Sequence, residues 1–123
     1  AYATSCGKIL LAYQSDAYLD SYFQWMAQEA HPLTSHTITD PQQLQKQLKK
    51  ARRDGYAVDD GEIEVGLICF SAPIYDVDRR VIAAVSVSGP DYRMMEDQSL
   101  MTGAVRRTAE NISRLLGYRE TAL

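Results

Sequence analysis

From Gly55 to Pro90 apolar residues alternate with small or polar ones, and this period of two predicts three strands. In the last run, Ile82, Ala84, Ser86 and Ser88 point one way, and Val81, Ala83, Val85 and Val87 the other. In the run before it, Leu67, Cys69 and Ser71 share one face, with Ile68, Phe70 and Ala72 opposite. One face therefore gathers hydroxyls and a thiol among apolar groups, a composition that suits a pocket for a small polar molecule. Pro73 cannot donate to a ladder, so its strand needs an edge, a bulge or a missing partner at that point.

Helical periodicity surrounds the strands. Thr4 or Ser5 can cap a helix starting near Cys6, and a second helix starts at Ser15 or Asp16. In the second, Leu19, Tyr22, Phe23 and Met26 make an apolar stripe. Residues 33–39 read as an extended connector after Pro32. Asp40 and Pro41 then supply an N-cap and first-turn pair for a helix running to about Arg53, with Leu44, Leu48 and Ala51 inward and Gly55 as its stop. A long final helix is predicted from about Glu96 to Leu116. Helices, hairpin-linked strands and a closing helix make an α+β layout, since antiparallel strands need no helical crossover.

A length of 123 residues gives one domain with a real core, and 46% hydrophobic with 24% charged residues is ordinary for a globular chain. The net charge of −3 argues against a nucleic-acid-binding surface in this segment. No apolar run approaches the ~20 residues a membrane helix needs. The start lacks Met and any signal-peptide pattern, which reads as a cut inside a longer protein. Cys6 and Cys69 are too few for a disulfide scaffold and lack metal-ligand spacing, which favours a reducing, cytoplasmic setting and leaves a single disulfide open.

The cations Lys46, Lys49, Lys50, Arg52 and Arg53 complement the end of their helix and read as a solvated face. Asp59, Asp60, Glu62 and Glu64 lack calcium-loop spacing and read as a charged turn and strand surface, with Asp59 the one acid placed to reach a pocket. Neither thiol has a nearby histidine in sequence to activate it, so no catalytic residue and no metal ligand is assigned. The start of the first helix is different. The amides of Cys6, Gly7 and Lys8 read as free donors that favour an anion, and Gly7 would let a ligand approach the backbone.

At these same residues the chain resembles the C-terminal effector-binding domain of the IclR family of bacterial transcription regulators. The matching pieces include the run Ala3 to Ala12, Thr37 to Asp40, Gly55 to Asp60, Glu64 to Cys69, Ala72 to Asp76, Ile82 to Pro90 and Leu115 to Tyr118, in order over nearly the whole chain. Cys6 stands where members often carry Gly, Ala or Ile, and Gly61 replaces an acid after the Asp pair. The resemblance implies a GAF-like (profilin-like) domain, an antiparallel sheet flanked by helices, that binds a small organic, sugar or aromatic acid without a cofactor. It also implies a winged helix-turn-helix upstream for operator DNA, dimers or tetramers, and no membrane. Carried over by position, Ser5, Cys6, Asp59, Leu67, Cys69, Ser86 and Ser88 line the pocket, beside the amide of Gly7.

The function expected is ligand sensing in a regulator of a catabolic operon. The rivals are a stand-alone GAF-like binding module, or a small enzyme with Cys69 or Cys6 as nucleophile. Further strands, encoded upstream of Ala1, are expected to cover an otherwise open sheet edge, which would recruit neighbours if left bare.

Overall fold

The computed structural model describes residues 1–120. Four of its helices answer to the periodicity: α1 (Ser5–Ala12), α2 (Asp16–Glu29), α3 (Pro41–Asp54) and a long final helix. Between α3 and that helix lie β1 (Ala57–Asp60), β2 (Leu67–Tyr75), β3 (Val81–Pro90) and a short α4 (Asp91–Glu96), and α5 (Gln98–Leu115) closes the chain. Local chemistry sets the boundaries. Thr4 caps α1 by accepting from the Gly7 amide, Ser15 caps α2, and Asp40 with Pro41 opens α3. Gly55 ends α3 in the left-handed region (φ 82°), where only glycine is free of strain. The six residues of α4 carry no side-chain cap and too short a repeat for periodicity to find.

The sheet is antiparallel in the order β1-β2-β3. It is an α+β fold, with α1 and α3 gathered on one face and α5 on the other. Against α5 lie Ile68, Phe70, Ala72 and Ile74 of β2, all buried, with Val105 and Ala109 of the helix. Val85 and Val87, on the same face of β3, are half-buried. On the opposite face a second core joins Ile9 and Leu11 of α1, Leu44 and Leu48 of α3, and Met26 of α2.

One strand departs from simple alternation. The register runs evenly from Leu67 opposite Pro90 to Ile74 opposite Ala83, and then Tyr75 faces Val81. The extra residue, Ile82, is a bulge, and it turns Val81 onto the α1 side. Val81 is therefore not on the face of Val85 and Val87 that strict parity predicts. The outer edges of β1 and β3 carry no strand among the described residues.

Candidate functional site

The sheet face beneath α1 collects the polar residues. Register sets Asp59, Cys69 and Ser88 abreast in one row, and Ala57, Ser71 and Ser86 in the next. The start of α1 lies over the second row. Ser5 Oγ and Ser71 Oγ share a hydrogen bond of 2.5 Å, and Cys6 Sγ stands 3.2 Å from the same Ser71 oxygen. In the first row, Ser88 Oγ donates to Cys69 Sγ at 2.9 Å. Ser71, fully buried, joins helix to sheet. Its parity placed it on this face, yet only the fold shows that it holds both Ser5 and Cys6.

The predicted residues differ in what they offer. Ser5 is buried and its hydroxyl is committed to Ser71, whereas Ser86 and Ser88 are exposed. Leu67, Cys6 and Cys69 are half-buried, and both thiols are free. The face is an open floor.

Two of the three amides expected to be free at the start of α1 are already used. Gly7 N–H donates to Thr4 Oγ1 and Lys8 N–H to Thr4 O, both at 2.9 Å, because the cap that starts the helix consumes them. Gly7 has a packing reason of its own: a Cβ there would strike Ala1 and Thr4, so the glycine admits the folded-back N-terminal residues rather than a ligand.

The acidic stretch holds the main surprise. Asp59 is buried, as a pocket acid should be, but so is Glu62, which belongs to no charged surface. Lys8 Nζ, 1% exposed at the residue level, meets Glu62 Oε2 at 2.5 Å and also donates to Val58 O at 2.9 Å. Asp59 Oδ1 accepts from Glu62 N–H at 2.8 Å, and Thr34 and Thr37 hold the carbonyls of Gly61 and Glu62. Glu62 Oε1 is buried without a partner among the described residues. Lys8 and Glu62 are 54 positions apart, so neither periodicity nor spacing signals their pairing.

Burial pushes the Glu62 carboxyl above its ordinary range, outweighing the Lys8 ammonium that draws it down. The Asp59 carboxyl is raised for the same reason, against the pull of the Glu62 amide and Lys8. Burial also raises the Cys69 thiol, opposed by the Ser88 hydroxyl and reinforced by Asp59 and Cys6. A thiol shifted upward stays protonated near neutrality and is a poor nucleophile. The face presents hydroxyls and thiols in the rows, and a carboxyl beside them.

A family model for the bacterial transcriptional regulator IclR C-terminal domain matches residues 1–114. The chain belongs to this family. It is 39% identical over 119 residues, 96% of its length, to the HTH-type transcriptional repressor AllR of Escherichia coli, of which it covers 43%. Among solved structures, IclR of Thermotoga maritima superposes with a TM-score of 0.85 at 38% identity, over 95% of this chain and 47% of that one. A double mutant of the inducer-binding domain of the PobR transcription factor from Acinetobacter, in complex with 3-hydroxybenzoic acid, superposes at 0.76 with 27% identity, over 93% of this chain and 65% of that one. The chain spans less than half the length of the curated relatives it matches. Those relatives are transcriptional regulators and repressors, not enzymes. Among the described residues no helix is long and apolar enough to cross a membrane.

Proposed function

We propose that this chain is the ligand-sensing part of a DNA-binding regulator, and that it binds a small metabolite acid on the sheet face beneath α1. The observation that carries the reading is the pair of rows in which Asp59, Cys69, Ser88, Ser71 and Ser86 stand side by side under Ser5 and Cys6. Ser86, Ser88 and the Cys6 amide hold a carboxylate, with Leu67 and Cys69 limiting the rest of the molecule. Asp59 sits badly beside an anion, and instead accepts a hydrogen bond from a ligand hydroxyl. A hydroxy acid satisfies both requirements, and the acid bound in the complex of the PobR double mutant is of that kind. Binding shifts the population of two arrangements of a cytoplasmic dimer or tetramer, and so alters operator affinity through a helix-turn-helix in the longer protein.

The test is a thermal-shift screen of small organic, sugar and aromatic hydroxy acids, followed by competition between the best ligand and a thiol-alkylating reagent. Bound ligand should slow alkylation of Cys6 and Cys69. Complete alkylation of both with no loss of ligand binding overturns the site.

A further inference from the structure

A cleft of about 820 Å³ lies away from the rows of Cys69 and Ser88, between the end of α3, the far half of β2 and α5. Its floor exists because β1 is short. Ala57 is the last residue of β1 to face β2, opposite Ser71, so Ala72 to Tyr75 run on without a partner from β1. That bare edge has almost no donors. The Tyr75 amide donates to Ser113 Oγ at 2.9 Å, and Pro73, two residues earlier on the same edge, has no N–H. Ser113, buried, donates its own hydroxyl hydrogen bond to Ala109 O at 2.7 Å. An added strand would find no ladder here.

The walls are cationic. Arg52 and Arg53 come from α3, Arg106, Arg107 and Arg114 from α5, and Arg119 from the residues after it. Three carboxylates line the cleft with them, and two of these are taken: Asp54 pairs with Arg53 at 3.2 Å, and Glu110 with Arg114 at 2.6 Å. Arg52, Arg106 and Arg107 form no ion pair among the described residues. Two of these three are positioned. The Arg52 guanidinium lies over the Tyr13 ring, 5.1 Å from its centroid, and Tyr13 in turn packs edge-on against Tyr75 at 5.9 Å. Arg106 lies across Gly55, close enough that a Cβ there would come within 3.2 Å of its Nε. Guanidinium groups from two helices thus line one cleft at the C-terminal end of α3.

We propose that this cleft is a second ligand site, taking a small phosphate-bearing polyanion. Six arginines against three carboxylates concentrate positive charge in one cleft of a protein whose net charge is −3. The volume is that of a small-molecule site. A phosphate brings nearly two charges and three acceptor oxygens on one centre, and guanidinium forks match it in pairs. A single carboxylate leaves most of these donors unused.

The experiment is calorimetric titration of the protein with pyrophosphate at low ionic strength, with citrate as the carboxylate control. Saturable binding at one site is expected, weakened about tenfold or more by Arg106→Gln/Arg107→Gln and by Arg52→Gln, since each removes charge-assisted hydrogen bonds. Lys49→Gln/Lys50→Gln takes charge from α3 outside the cleft and should leave the affinity unchanged, as should Ser88→Ala in the other site. Absence of saturation, equal weakening by the lysine and arginine variants, or citrate binding as tightly as pyrophosphate overturns the proposal.

Discussion

The two faces of the sheet are made from alternate residues of the same strands, and they differ in kind. Towards α5, β2 presents Ile68, Phe70, Ala72 and Ile74, all buried against apolar partners. Towards α1 it presents Cys69 and Ser71, flanked by Asp59, Ser86 and Ser88. The first face is closed by the chain's own helix and contributes stability through area removed from water. The second is only partly satisfied from within: Ser5 and Ser71 use up each other's hydroxyls, while Ser86 and Ser88 remain exposed. Strand parity therefore separates an apolar, closed face from one that carries polar groups, some buried and some exposed.

That separation can be broken at graded points. Phe70→Ala should cost about 3–5 kcal/mol in denaturant unfolding, the range for a large core truncation. A loss below about 1 kcal/mol, within what a half-open site gives, would mean that the α5 face is not a closed core. Lys8→Met leaves the Glu62 carboxyl buried without its partner and should cost a similar or slightly smaller ~3–4 kcal/mol near neutral pH. Lys8→Met/Glu62→Leu should recover much of it, and a double variant no better than the single would show that the pair is not the source.

Ser71→Ala leaves the Ser5 hydroxyl buried without its partner, an expected loss of about 1–3 kcal/mol in stability. Ser88→Ala should leave stability within about 0.5 kcal/mol yet weaken ligand binding by about 1–2 kcal/mol in calorimetry. The reverse pattern, an unfolded Ser88→Ala protein or a harmless Ser71→Ala, would erase the distinction between buried and exposed hydroxyls.

The smallest expected effect is on pH dependence. Asp59 and Glu62 titrate above their ordinary range when folded, so the folded state holds their protons more tightly than the unfolded state. Their contribution is complete below an ordinary carboxylate pKa of about 4 and is lost as pH rises through the raised values. The stability of the wild type minus that of Asp59→Asn should therefore fall as pH rises from about 4 towards neutrality. A difference that rises over that range would reverse the assigned direction.

Much of this was legible in residue order because it is local. Thr4, Asp40 with Pro41, and Gly55 mark helix ends by chemistry acting over a few residues, and parity alone puts Cys69 with Ser71 and Ser86 with Ser88. What escaped is what the fold brings together or uses up. The bulge at Ile82 leaves no trace in a uniformly apolar run, so strict parity puts Val81 on the wrong side. The Lys8–Glu62 pair joins α1 to the turn after β1, and the Thr4 cap spends the amides that a bare helix start would offer. Asp59 and Glu62 look alike in a run of acids, and only their partners distinguish them from Asp60 and Glu64, which are exposed.

The bulge in β3 also has a mechanical meaning. One strand delivers Val81 to the core shared by α1 and α3, and a few residues later Ala83, Val85 and Val87 to the core under α5. Between them the inserted Ile82 works like a rivet through two plates, because neither core can loosen this strand without disturbing the other. Amide protons of Val81 and Val85, on opposite sides of that rivet, should exchange with solvent through one common opening, so the domain melts as a unit although its apolar interior is divided in two.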